Sequence, residues 1–425
     1  MFTLGYRFKP WLDQKAIADG PSILRYVRET ARENDLEANI RFGHRVKRAS
    51  WSSETARWTL EVERKDSGER ATFTCNFLYA CTGYYRYEAG YTPEFEGVGD
   101  FQGRIVHPQH WTDDIAYEGK RVIVIGSGAT AVTLVPELSK RAAEVVMLQR
   151  SPTYMVSMPA RDRAANFVRK LLPTKLAYFL VRWRNILRQL VFFRIARRWP
   201  RFARRSILKQ VRALLGPDYD VRTHFAPHYN VWDQRVCLVP DADMFDAIRE
   251  GRVTVVTDHI DRFTPTGIRL RSGNELQADL IVTATGLDLV FFGGIEIDVD
   301  GRVIHPNDTF NYKGCMFSDV PNLAYTFGYT NASWTLKADL TAEYICRLLN
   351  HMDAVGAKRC TPRPGDTPIA EQPWLEFTSG YIQRALSIFP KQGLERPWRL
   401  YQNYALDVFV LRHGKIDDGT LELQP

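Results

Sequence analysis

Arg121-Val122-Ile123-Val124-Ile125-Gly126-Ser127-Gly128-Ala129-Thr130-Ala131 is the stretch that decides the fold. Val122 to Ile125 are uninterrupted β-branched residues, the pattern of a strand buried on both faces, and the spacing from Ala129 through Leu138 is helical. Gly126 permits the tight turn after the strand, Gly128 has no side chain to block a pyrophosphate, and Ala131 lets the helix pack closely on the sheet. The helix start around Ser127, Ala129 and Thr130 then offers backbone N–H groups and a positive dipole to phosphate. A further strand over 144–148 completes a βαβ unit of about 30 residues. The reading is a bound dinucleotide; the alternative is a βαβ unit that has lost its ligand.

The end of that second strand selects the dinucleotide. An NAD site would place an acid there for the ribose 2′-OH, whereas this sequence has Gln149-Arg150-Ser151. A guanidinium fork matches a 2′-phosphate, so NADPH is the expected cofactor, with Arg150 and Ser151 at its ribose; a solvated loop charge is the other reading of Arg150. Two further stretches echo each other: 76–83 and 279–286 are each a short polar residue, an apolar strand and a Thr-Gly ending, Thr82-Gly83 and Thr285-Gly286. Glycine at such an end lets backbone approach a ligand or a crossover. With a glycine loop between them, the two endings predict two dinucleotide domains, of which this sequence carries one glycine-loop beginning.

Composition bounds the rest. The chain has 425 residues, 45% hydrophobic and 25% charged, with 28 Gly and 22 Pro, which excludes disorder, collagen-like repetition and a disulfide-stapled mini-protein. Its six cysteines show no Cys-x-x-Cys spacing, so no zinc or other metal site is expected, and reduced thiols in the cytoplasm are the default. No apolar run reaches the ~18 residues of a membrane span. Charge is placed unevenly: residues 161–212 hold 16 Lys+Arg against one acid, Asp162, and the remaining chain is at −7. The apolar residues among these arginines suit either a helical cap over a substrate pocket or peripheral contact with an anionic membrane through 161–215. Nucleic acid is not an expected partner, since no recognised motif accompanies the charge.

The linker Phe101-Gln102-Gly103-Arg104-Ile105-Val106-His107-Pro108-Gln109-His110-Trp111 resembles the F-x-G-x-x-x-H-x-x-x-W fingerprint of Baeyer-Villiger monooxygenases, members of the class B flavoprotein monooxygenases. The resemblance continues through Trp232-Asp233-Gln234-Arg235 and Tyr329-Thr330-Asn331-Ala332-Ser333-Trp334-Thr335-Leu336-Lys337. It departs in having Thr112 after the fingerprint tryptophan, where the family has Pro or Asp. It also lacks the family's opening strand, FAD-binding G-x-G-x-x-G, Gly-Gly-x-Trp segment and active-site Asp.

The resemblance implies an α/β fold of two Rossmann-like dinucleotide-binding domains. The FAD domain is discontinuous and without its first βα unit, over 1–110 (with the linker) and 275–425. The NADPH domain spans 111–274, with a basic helical insertion at 161–215. It implies that NADPH reduces tightly bound FAD, that O2 adds to give a C4a-peroxyflavin, and that a lipophilic ketone becomes an ester or a soft sulfur or nitrogen centre is oxygenated. A catalytically inactive NADPH-binding or membrane-peripheral fragment is the second reading. Arg235 matches the family's catalytic arginine, its other reading being an ion pair with Asp233 or a nearby acid. Phe101, Gly103, His107 and Trp111 are the linker fingerprint, of which His107 and Trp111 resemble residues that couple domain motion to NADPH binding, polar loop surface being the other reading of His107. Asn331 and Ser333 are placed near the flavin ring or serve as helix caps, and the strand around Val46 passes the FAD adenine.

Overall fold

The computed structural model describes every residue except 366, 367 and 376. In it the strand Arg121–Ile125 is the centre of a five-stranded sheet. Glu144–Gln149 and Leu280–Thr283 flank it in parallel, and Val253–Thr257 and Arg104–Val106 form the edges, also parallel. Side chains alternate along the central strand. Val122 and Val124 face the helices Ala129–Leu138, Pro200–Leu215 and Asp243–Arg249, whereas Ile123 and Ile125 face a small antiparallel sheet that supplies Phe263, Ile268 and Leu270. Both faces are therefore covered, which is why these strands carry no polar alternation.

Val253–Thr257 and Gly267–Leu270 share a strand pattern but do not pair: the first is an edge of the parallel sheet, and the second lies between Ile260–Thr264 and Glu275–Gln277. The two-residue connection Pro265-Thr266 closes a hairpin on the nearer strand, which leaves 253–257 free for a parallel partner. The sheet also passes both limits of 111–274, since Arg104–Val106 and Leu280–Thr283 are hydrogen-bonded strands of it.

A second body of structure surrounds the C-terminal half. His44–Ser52 pairs antiparallel with Arg57–Arg64, which pairs with Arg70–Cys75 across the turn at Gly68 (φ +69°), and on its other side His44–Ser52 runs parallel to Glu296–Val299. The strand begins at His44, where Gly43 turns with φ +70° immediately before it. Leu78–Ala80 runs parallel to Leu323–Tyr325. The helix Trp334–Val355 buries Leu336, Leu340, Tyr344 and Leu348 at helical spacing and stops at Gly356, φ +71°. Near its start, buried Lys337 pairs with Asp407 at 2.9 Å, and Asp407 also accepts from the Tyr329 hydroxyl, so the pair is fully engaged.

The basic segment folds as three helices, Arg163–Leu171, Thr174–Arg198 and Pro200–Leu215. Among the described residues, no helix is long and apolar enough to cross a membrane, and no three His, Cys, Asp or Glu side chains gather as a metal site.

Candidate functional site

The glycine loop is open. Gly126 has φ +136°, and a methyl group on it would stand 2.3 Å from the Ala284 carbonyl oxygen, so glycine is required by both backbone and space. A methyl on Gly128 would meet nothing within 4 Å, and Gly128, Ala129 and Thr130 are exposed. The first intrahelical bond runs from Val132 N–H to the Gly128 carbonyl, so the amides of Ala129, Thr130 and Ala131 precede the ladder and face this opening. Ala131 is fully buried against the sheet. Ser127 donates to the Ser151 carbonyl at 3.0 Å and shares a hydrogen bond with Thr153, tying the loop to the next strand end. There Gln149 is buried, while Arg150 and Ser151 are exposed and Arg150 makes no ion pair with any described residue.

The 101–111 linker closes one side of this opening. Phe101 is buried edge-on to Phe263. A methyl on Gly103 would strike the Phe101 ring and the Asp279 carbonyl, at 2.5 and 2.6 Å. Trp111 packs edge-on to Tyr117 and onto the sheet's helical core. His107 Nε2 donates to the Gly286 carbonyl at 3.2 Å, and its Nδ1 accepts the Gln109 amide. Thr285 donates to the Tyr91 carbonyl, so the second Thr-Gly ending is fastened to the linker. A cavity of about 240 Å3 lies between His107, Gln109, Thr130, Gly286 and Leu287.

Burial holds the His107 pKa below the ordinary histidine value. Above the usual histidine range both chain states are neutral there and the contribution to stability is complete; on acidification the unfolded chain protonates first, so that contribution is lost. The acid limb of the melting temperature, scanned from about pH 7 to 5, is expected to be shallower in His107→Gln than in the parent.

Arg235 enters a second cleft. Trp232, with φ +74°, turns the chain, and the strand Cys237–Pro240 follows. The Cys237 thiol lies 3.9 Å from the Ser127 carbonyl, which places Arg235 two residues from the glycine loop's neighbour. The guanidinium lines a narrow cleft with Tyr84, Phe327, Trp334, Leu375 and Tyr381, closely surrounded yet open along the cleft. Asp233 does not pair with it: that carboxylate accepts from Arg197 at 3.2 Å and from the Asn230 amide. Among the described residues Arg235 has no carboxylate partner. Burial works against its charge, and the hydroxyls of Tyr84, Tyr381 and Tyr85 outweigh that, so its pKa sits above the ordinary arginine value. Tyr84 and Tyr85 share a hydrogen bond of 2.9 Å, and burial pushes both phenols up, keeping them protonated. The Tyr84 ring stacks on Trp334 at 4.8 Å.

The flavin-side expectations separate. Gly83 turns with φ +68° beside Thr82, and its carbonyl accepts the Tyr325 hydroxyl. Asn331 is buried; its amide donates to the Gln402 carbonyl, and its oxygen has no partner. Ser333 occupies the N-cap position of the 334–355 helix without capping it, because its hydroxyl bonds Thr3 at 2.6 Å. Val46 lies half-buried at a bulge of its strand, away from the residues that line either cavity. The tyrosines around Arg235 were not singled out from sequence. Tyr84-Tyr85 directly follow Thr82-Gly83 and carried a signal, whereas Tyr381 arrives from 146 positions beyond Arg235 and carried none.

A family model described as flavin-binding monooxygenase-like matches residues 15–201. The chain is 53% identical over 423 residues to the FAD-containing monooxygenase EthA of Mycobacterium tuberculosis, covering 99% of this chain and 86% of that one. It is 50% identical over 423 residues to EthA of Mycolicibacterium smegmatis, covering 99% and 85%. A solved structure, an oxidized steroid monooxygenase bound to NADP, superposes with a TM-score of 0.74 over all of this chain and 89% of that one at 20% identity, which establishes the α/β fold with its two dinucleotide-binding regions. Identity of one residue in two, sustained from end to end of this sequence, places the chain in the flavin-binding monooxygenase family, among the FAD-containing monooxygenases.

Proposed function

We propose that the chain is an FAD- and NADPH-dependent monooxygenase that delivers one oxygen atom of O2 to a lipophilic ketone, giving an ester, or to a soft sulfur or nitrogen centre. The open backbone at Gly126, Ser127, Gly128, Ala129 and Thr130 fits the NADPH diphosphate, with Arg150 and Ser151 at the ribose phosphate. Thr82, Gly83, Asn331 and Ser333 belong to the flavin side, where the unpartnered Asn331 oxygen suits a ring N–H donor. Val46 is assigned to the adenine end on the family pattern alone. Thr285 and Gly286 join the linker residues Phe101, Gly103, His107 and Trp111 between the two cofactor regions. The NADPH part centres on 111–274 and borrows strands 104–106 and 280–283.

Bound FAD supplies the oxygen-activating chemistry, and NADPH the reducing equivalents. Arg235 holds positive charge where negative charge develops, against the aromatic walls of its cleft. The observation that carries the reading is an arginine that lines an aromatic cleft beside Tyr84 and Tyr381, with no carboxylate partner among the described residues. The test supplies FAD and NADPH to the purified protein and follows NADPH consumption with a panel of lipophilic ketones and thio-compounds. Ester or S-oxide in the product supports the reading; no flavin retention and no NADPH oxidation with any of them overturns it. Arg150→Ala is expected to lower the preference for NADPH over NADH by roughly tenfold to a hundredfold, read from the two KM values.

The six cysteines are all free, which supports a cytoplasmic setting. The 161–215 segment adds a peripheral relation to an anionic membrane.

A further inference from the structure

The helix Thr174–Arg198 is apolar on two sides. Its inner side buries Ala177, Tyr178, Val181, Ile186 and Leu190 against the protein. On the other side Leu176, Leu180, Leu187 and Val191 are 47, 44, 52 and 53% exposed. Their spacing of four, seven and four residues puts them in one row along the helix, and Arg194 and Arg198 continue it by a further turn each. A surface helix ordinarily turns charge to water here, so a second apolar stripe marks a contact face.

The structure sorts the cations of this segment. Arg182 reaches inward to Asp339 and the carbonyls of Phe2 and Gly5, Arg184 pairs with Asp162, and Arg204 donates to the Pro227 carbonyl. Arg188, Arg194, Arg198, Arg201 and Arg205 are exposed and pair with no carboxylate among the described residues. Beside the leucine row a cavity of about 400 Å3 opens between Phe8, Phe179 and Trp183, with Arg7, Lys175, Arg182 and Arg412 at its walls. Asp339 and Glu343 are the acids that pair with those walls, leaving two positive charges in excess.

We propose that this face seats the protein on an anionic lipid bilayer, the leucine row entering the acyl boundary, the free arginines meeting headgroup phosphates and the aromatic cavity taking one lipid headgroup. The juxtaposition fits that partner in both chemistries, apolar area and positive charge on one surface. Nucleic acid would reward the arginines and leave the leucines in water. Two copies packed through the same face would bring their unpaired arginines together. On the helix's other flank Phe193 and Phe192 pack on Trp232, at 5.7 and 6.4 Å, three residues from Arg235 in sequence. Such a face gives the peripheral reading of 161–215 its contact surface and requires nothing of the oxygenase chemistry.

The test is cosedimentation of the purified chain, without substrate, with vesicles of phosphatidylcholine alone or mixed with phosphatidylglycerol. Binding is expected only to the mixed vesicles, with release at about 1 M salt, where the Debye length is about 3 Å. The pair Arg188→Glu and Arg194→Glu is expected to lower partitioning at least about tenfold, and Leu180→Gln with Leu187→Gln by a similar factor. Unchanged circular dichroism and melting temperature certify the fold of each variant, and the salt series on the parent stands without them. Equal binding to both vesicle types, or variants that bind like the parent, overturns the proposal. So does an oligomer abolished by the same substitutions in the absence of vesicle binding, or tighter binding to duplex DNA than to the mixed vesicles.

Discussion

Arg235→Ala is expected to cut oxygenated product by at least about a hundredfold, the scale seen when a preorganised charge-stabilising group is removed from an active site. The guanidinium is the one described cation in its cleft, no carboxylate among the described residues neutralises it, and the phenols of Tyr84 and Tyr85 remain protonated. Arg235→Lys keeps the charge but not the planar fork, and is expected to recover only a small part of the activity. The measurements are product formed per NADPH consumed and the affinity for NADPH determined separately by titration. Loss of product with NADPH affinity held within a few-fold assigns Arg235 to oxygen transfer. Activity within a few-fold of the parent in Arg235→Ala would remove it from the chemistry.

Gly126→Ala and Gly128→Ala are expected to fail in different ways, although they stand two residues apart. At Gly126 the methyl meets the Ala284 carbonyl oxygen at 2.3 Å on a backbone with φ +136°, so strain and overpacking together cost about 3 kcal/mol. Ala284 ends the neighbouring strand of the same sheet, and relief of the clash spoils the sheet's register. This variant should melt well below the parent even without nucleotide. At Gly128 the methyl meets no protein atom within 4 Å, so stability is retained and the loss appears in NADPH binding, where the methyl projects toward the diphosphate. Thermal melts in the absence of nucleotide, paired with NADPH titration, separate the two. A Gly128→Ala protein that binds NADPH as the parent does would take the diphosphate away from this helix terminus.

Much of the dinucleotide fold was legible because its signals are local. The strand, the two glycines and the helix occupy consecutive residues, and each is required by sterics that act within a few positions. The helical character of the basic segment was legible for the same reason, whereas its division into three helices was not. Pairings between distant strands were less so: 253–257 and 267–270 have similar β patterns, and only the short turn at Pro265-Thr266 settles which neighbour each takes. The charge of 161–212 was countable from sequence, but not its division into cations turned inward to Asp339, Asp162 and backbone carbonyls and cations left in water.

By itself the sequence determined a parallel sheet whose central strand runs through a glycine turn into a helix, named Arg150 and Arg235 as candidates, and fixed the excess of positive charge in one segment. Tertiary structure alone decided that Arg235 faces Tyr84, Tyr85 and Tyr381 rather than Asp233, that Ser333 bonds Thr3 instead of capping its helix, and that strands 104–106 and 280–283 complete the sheet around 121–125. The physical reason is range. Backbone preferences and side-chain periodicity act over a few residues, whereas a side chain's electrostatic environment is assembled from segments hundreds of positions apart, and no local pattern records which of them will meet.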